Sequence, residues 1–197
     1  MVTDVEKQII EAAKRVFLAH GYNETNMAMI AQEAGMARPA LYYYFRSKDK
    51  IFNAVSHDIV KDFFPSVMGI LNKEQSLHQR LVELVDVYMA QLEQNPKLPL
   101  FIVKEINRDP GLIVRQTLEN PSFNFPKRAF QWYQAAVARG ELKEVPLYSI
   151  PLTALSLILS PFLAKPAIDT LMEGRFNEIL QGWKPFVVLQ LETLLRP

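Results

Sequence analysis

Apolar residues recur at three- and four-residue intervals through most of this chain, and most such stretches are bracketed by a helix start or a helix stop. That pattern excludes most folds, because a half-buried strand needs alternation with a period of two. Thr3-Asp4-Val5-Glu6 has the form of a capping box, in which threonine and glutamate satisfy each other's backbone N–H groups. Ile9, Ala12, Ala13, Val16 and Phe17 follow on one face, and Gly21 offers the left-handed residue that a helix end needs. Thr25 or Asn26 is placed to cap a second helix over Met27–Ala34, stopped by Gly35. A third begins near Arg38 with Pro39 in its first turn, where a missing N–H removes no hydrogen bond. Ser47 caps a fourth that runs towards Pro65.

The same punctuation continues. Ser76-Leu77-His78-Gln79 is another capping box, and Leu77, Leu81, Leu84, Val85, Tyr88, Met89 and Leu92 form a stripe that Asn95-Pro96 ends. Shorter helices are expected around Leu98–Asn107 and Gly111–Glu119, then Lys127–Arg139 closed by Gly140. Ser149–Leu163 and Lys184–Leu195 are the last two, both strongly apolar. The fold class is therefore all-α. A small three-helix domain over residues 1–47 precedes a larger helical bundle over 48–197, joined through the fourth helix.

Composition narrows the chemistry. The 197 residues are 49% hydrophobic, enough for a substantial core. There is no cysteine, which excludes disulfides, thiolate catalysis and cysteine-ligated metal clusters. His20, His57 and His78 have no metal-ligand spacing, and no nucleophile elbow, P-loop, zinc-protease motif or dinucleotide glycine pattern occurs. Neither enzymatic activity, a metal nor a cofactor is expected. The start lacks a signal-peptide pattern, and the apolar run Ile150–Leu163, interrupted by Thr153, Ser156, Ser160 and Pro161, is short for a bilayer. A cytoplasmic protein with no membrane partner is the expectation.

Net charge is +1, so binding to a polyanion has to come from a local patch. One is visible. Between Met36 and Lys48 stand Arg38, Arg46 and Lys48 with no acid, around the run Tyr42-Tyr43-Tyr44-Phe45. At 100° per residue Leu41 and Phe45 share one face of a short helix, suited to packing on Ile30, Ala34 and Phe17. Pro39, Ala40 and Tyr43 lie opposite, flanked by Tyr42 and Tyr44. Two short helices joined at a glycine turn, the second with an exposed polar-aromatic face, have the layout of a helix-turn-helix. Tyrosine hydroxyls suit phosphate oxygens, and a ring or a methyl suits thymine methyls in the major groove. Thr25, Asn26 and Lys48, at the first turns of neighbouring helices, are candidates for gripping phosphates. The candidate DNA-contacting residues are thus Thr25, Asn26, Arg38, Pro39, Ala40, Tyr42, Tyr43, Tyr44 and Lys48.

Gly21 to Phe52 resembles the DNA-binding domain of the TetR family of bacterial transcriptional regulators. The resemblance is carried by Gly21-Tyr22, Thr25, Ile30-Ala31, Ala34-Gly35, Leu41-Tyr42, Phe45 and Ser47-Lys48. It implies a double-stranded DNA operator, a homodimer, and a C-terminal domain that binds a small-molecule effector. Ala37, Ala40 and Tyr44 stand where the family often has serine, threonine and histidine, so no operator sequence carries over.

Beyond residue 48, aromatic and Met side chains exceed what one small bundle needs. They suggest an apolar cavity between helices broken by proline. Phe63, Tyr88, Phe101, Glu105 and Phe130 are the candidate lining residues; an acid there favours a cationic ligand, although a solvated helix face is the commoner place for one. Leu157 and Leu191 are candidates for a symmetric interface built from the last two helices. The expected function is a ligand-responsive regulator, a repressor released from a palindromic operator by an apolar or amphipathic molecule. The alternatives are a hydrophobe carrier without DNA function, or an activator of the same family.

Overall fold

The computed structural model describes residues 3–61, 63–111 and 125–197. Among these the chain is helical, with no strand. In chain order the helices are α1 (Asp4–Glu24), α2 (Met27–Glu33), α3 (Arg38–Tyr44), α4 (Lys48–Lys61), α5 (Phe63–Leu71), α6 (Leu77–Gln94), α7 (Leu98–Arg108), α8 (Phe125–Ala138), α9 (Ser149–Leu163), α10 (Lys165–Leu171) and α11 (Phe176–Leu195). Both capping boxes form: Glu6 N–H donates to Thr3 Oγ1 at 3.2 Å, and Gln79 N–H to Ser76 Oγ at 3.2 Å. No single helix here is long and apolar enough to cross a membrane.

Two compact units are present. The first joins the chain up to Pro65 with the segment that starts at Leu100; the second comprises Ser66–Pro99 and Phe125–Pro197. The division expected between residues 47 and 48 falls inside the first unit, because α4 packs along α1. Ile9, Ala12, Ala13, Val16 and Phe17 of α1 are buried, as are Ile51, Phe52 and Val55 of α4. Phe17 and Phe52 meet edge to face at 5.0 Å. At the far end of α4, Asp58 accepts from Lys14 of α1 at 3.2 Å and from Lys61. Burial pushes the Asp58 carboxyl up, but those two lysines outweigh it and hold it below the usual aspartate range.

In the second unit α11 packs on α6 and α9, and α10 closes against both α9 and α11. Leu81, Val85, Met89 and Leu92 of α6 are buried, as are Val187, Val188, Leu191 and Leu195 of α11. The Tyr133 hydroxyl of α8 accepts from the Val145 N–H at 2.8 Å and donates to the Val145 carbonyl at 3.0 Å, tying down the link to α9.

Three boundaries differ from the sequence expectation. Pro65 does not end a helix; it sits in the first turn of α5, where proline is tolerated. The short helix α10 follows α9 without a strong sequence signal. And α11 starts at Phe176, well before Lys184, and runs on through Pro185. It begins straight after a left-handed turn at Glu173 and Gly174. Pro161 inside α9 shows how such a helix survives: it cannot donate to the Leu157 carbonyl, and the Trp183 indole N–H of α11 donates there instead at 2.8 Å. The expected helix over Gly111–Glu119 lies outside the described residues apart from Gly111.

Candidate nucleic-acid interface

α2 is capped by Asn26, whose side-chain oxygen accepts the N–H groups of Ala28 and Met29 at 3.0 and 3.1 Å. It ends in a left-handed Gly35 (φ 66), with Met36 N–H on the Ala31 carbonyl and Gly35 N–H on that of Gln32. Those paired bonds are the glycine-closed helix stop that turns the chain sharply into α3. The Gln8 side chain of α1 takes up the Ala34 carbonyl at 3.1 Å, fixing the turn to its support. α3 itself has no side-chain cap, because Ala37 stands at the cap position.

Only one face of α3 is held by the core. Leu41 is completely buried, Ile30, Ala31 and Ala34 of the preceding helix and turn are buried too, and Phe45 is half-buried at the helix end. The opposite face is open. Arg38, Pro39 and Ala40 are exposed, Tyr43 is 78% exposed, and Tyr42 and Tyr44 are half-buried on the flanks. Tyr43 and Tyr44 brace each other edge to face at 5.3 Å, and the Arg38 guanidinium lies 5.6 Å from the Tyr42 ring centroid. All three tyrosine rings of α3 are thus steadied by neighbours, which lowers the entropy lost on contact with a partner.

Thr25 and Lys48 have tasks inside the chain. Thr25 is 2% exposed, and its hydroxyl donates to the Gly21 carbonyl at 2.7 Å. The Lys48 ammonium donates to the carbonyls of Tyr22 and Thr25 at 2.8 and 2.9 Å and sits 4.1 Å above the Tyr22 ring. Here α4 therefore holds the turn that leads into α2 rather than presenting Lys48 to solvent.

Tyr22 lies at the centre of that turn. Gly21 takes φ 77 and ψ 174, interrupting α1 so that Tyr22 leaves the helix axis. The Tyr22 N–H then donates to Oε1 of Glu105 in α7 at 3.1 Å. Arg108, one turn on, pairs with Oε2 of Glu105 and lies 4.0 Å from the Tyr22 ring centroid. The Tyr22 hydroxyl bonds to Asp49, and its ring meets Phe52 edge to face at 4.9 Å. Burial first, then the Asp49 bond, pushes the phenol up to about 12. Tyr22 is visible in the sequence as part of the glycine-tyrosine signature; its partners 83 and 86 positions away carry no local signal.

Of the candidate effector residues, Phe101 and Glu105 belong to the first unit and Tyr88 and Phe130 to the second. Phe101 is buried in the first unit, 6.1 Å from the Phe52 ring, and Glu105 is 4% exposed and taken up by Tyr22 and Arg108. Glu105 therefore points at the α1–α2 turn and not into an apolar cavity. Tyr88 is half-buried on α6 of the second unit, its phenol pushed up to about 12 by burial, and Phe130 on α8 is 39% exposed. The side chains of Phe63, Phe64 and Phe125, and all of Phe123, lie outside the described part. Two grooves open in the second unit. One of about 430 Å³ is lined by Leu157, Phe186, Gln190 and Leu194, and another of about 310 Å³ by Val82, Val85, Val188 and Leu189. Leu157 is half-buried at the first groove, but Leu191 is buried in its own subunit and corrects the expectation that it faces a partner. The outward large apolar side chains of α9 and α11 are Leu152, Leu155, Leu163, Phe186 and Leu189. Among the described residues no three metal-binding side chains cluster.

A glycine-turned helix pair with one open polar-aromatic face has the layout of a helix-turn-helix. Residues 9–55 match the model of the bacterial regulatory proteins of the tetR family. The chain is 31% identical over 103 residues to the uncharacterized HTH-type transcriptional regulator TtgW of Pseudomonas putida, covering 50% of this chain and 74% of that one. It is 28% identical over 144 residues to the HTH-type transcriptional regulator SrpR of Pseudomonas putida, which covers 71% of this chain but 64% of SrpR. A crystal structure of a tetR family transcription regulator from Shewanella sp. PV-4 superposes with a TM-score of 0.72 at 17% identity, covering 98% of both chains, a likeness of fold. The chain belongs to the tetR family of bacterial regulatory proteins.

Proposed function

We propose that this regulator is a homodimeric repressor, working in the cytoplasm, that holds a palindromic operator through α3 and is released by a small apolar or amphipathic effector bound in the second unit. The observation that carries the DNA-reading part is the open face of α3: Arg38, Pro39, Ala40 and a largely exposed Tyr43, with Tyr42 and Tyr44 at its edges. A helix of that width enters the major groove, where the rings and the Ala40 methyl meet base edges and Arg38 meets a phosphate. Asn26 and the start of α4 remain candidates for phosphate contacts at the edges of the groove. A hydrophobe carrier has no use for exposed tyrosines beside bases that no acid offsets.

The dimer reading is supported by the apolar side chains that α9 and α11 leave exposed on the second unit, Leu152, Leu155, Leu163, Phe186 and Leu189. A two-fold axis through such a patch gives a dimer with two copies of α3, matching the two half-sites of a palindromic operator. An effector acts by binding the released arrangement more tightly than the operator-bound one. Fluorescence anisotropy with DNA from upstream of the chain's own coding region tests the core of this reading. The expected result is tight binding that survives excess unrelated duplex. Equal affinity for the two duplexes would remove operator recognition from the account.

A further inference from the structure

Tyr22 is held from two sides in a way that helix-turn-helix packing alone does not need. From α4 come Lys48 to its carbonyl and ring, Asp49 to its hydroxyl and Phe52 to its edge. From α7, more than eighty residues away in sequence, come Glu105 to its N–H and Arg108 to its ring. The N–H is available only because Gly21 breaks α1 with a left-handed φ; in a continuous helix it would be bonded to its own fourth-preceding carbonyl. Glu105 is a buried carboxylate with both oxygens engaged, Oε1 by Tyr22 and Oε2 by Arg108, and a buried acid tolerates that position only when so paired. The Arg108 guanidinium also lies 5.1 Å from the Phe52 ring, so one cation touches the aromatic faces of both α4 and the turn.

We infer that Glu105 and Arg108 are positioning residues for DNA recognition: together they set the angle at which α2 and α3 leave α1, and α7 is the element that adjusts it. The turn they grip, Tyr22–Thr25, is the segment between Gly21 and the Asn26 cap of α2, so rotating it re-aims the whole helix pair. α7 runs unbroken from Leu98 to Arg108, whereas the first unit's later segment starts at Leu100, so α7 belongs to the chain of both units. A shift of α7 along its axis moves Glu105 and Arg108 together, because they lie one turn apart on one face. Charge-assisted bonds of this kind are directional, and their loss releases the turn rather than bending it elsewhere. The inference rests on the repressor reading for its biological meaning, but not for its test.

The test compares Glu105→Met, which keeps length and removes the acceptor, with Glu105→Gln, which keeps an acceptor without the charge. Both are made in the full chain. Amide hydrogen exchange of the DNA-free protein is read at Tyr22–Asn26, and operator affinity is read at several salt concentrations. Glu105→Met should speed exchange of the Tyr22 amide by about tenfold or more, the value of a hydrogen bond to a charged group. It should also weaken operator binding by a similar factor with the salt slope unchanged, since no phosphate contact is lost. Glu105→Gln should recover most of both effects, which a purely space-filling role would not produce. If Glu105→Met fails to fold, Arg108→Gln and Arg108→Lys take its place, with loss expected in the first and partial recovery in the second. Wild-type exchange at Tyr22 in a folded Glu105→Met or Arg108→Gln protein overturns the inference. So does faster exchange with unaltered operator affinity. A changed salt slope in the Arg108 variants makes Arg108 a direct phosphate contact and overturns it too. If the wild-type chain shows no operator preference, the repressor reading falls, and the exchange data alone still decide whether α7 holds the turn.

Discussion

Asp58 receives Lys14 from α1 and Lys61 from its own helix, and those lysines keep its carboxyl ionised at pH values where an ordinary aspartate begins to protonate. Its folded value is depressed, so the stability it contributes is fully present above about pH 4, the unfolded aspartate range. It is lost as pH falls through the depressed folded value. Urea unfolding at stepped acid pH should show a declining limb in the wild type that is shallower in Asp58→Asn; identical limbs would place the acid sensitivity elsewhere. Lys48 teaches a related lesson about single residues. Its place at the start of α4 was legible in the sequence, and so was its charge. Its direction was not, because two carbonyls and a ring made available by the Gly21 break compete for the ammonium more locally than any phosphate.

Helices were the most legible elements, and for a definite reason. Capping boxes at Thr3 and Ser76 and the glycine stop at Gly35 are local, and local signals are what a sequence displays openly. The extent of α11 was hidden because Pro185 reads as a start, while the helix continues through it and brings Trp183 to the Leu157 carbonyl. The direction of Leu191 was hidden likewise: an apolar helix with no polar face gives no sequence clue to which leucines turn inward. The resolved faces give a sharper expectation. Phe186→Arg puts a charge on the outward side of α11 and should give a folded monomer by analytical ultracentrifugation, with operator affinity lost. Leu191→Arg puts the charge in the subunit's own core, at a cost of several kcal/mol, and should lower the melting temperature before any question of assembly arises. A dimeric Phe186→Arg protein would move the interface off this face.

At the scale of the whole molecule the sequence displayed the helix-turn-helix far better than any cavity in the second unit. A helix-turn-helix is built from neighbours within thirty residues, whereas a cavity is enclosed by helices whose contacts are all long-range; Phe101 and Glu105, for all their aromatic bulk and charge, lie in the packing behind the α1–α2 turn. Linkage still constrains the outcome. A molecule that releases the regulator must bind the free form, so it should raise the melting temperature and lower operator affinity over the same concentration range. Thermal-shift screening of hydrophobic and cationic libraries, followed by operator titration with each hit, measures both. Ligands that stabilise the protein and leave or tighten DNA binding would turn the repressor reading from induction to co-repression. One further property follows from the way α3 is mounted. Leu41 is its one buried residue, and it carries no cap to preserve. Arg38, Pro39, Ala40 and Tyr43 are therefore nearly free of folding constraint. Such a helix can drift or be rewritten at the positions we propose to read DNA while the protein stays intact, so descendants of one scaffold could come to answer to unrelated promoters.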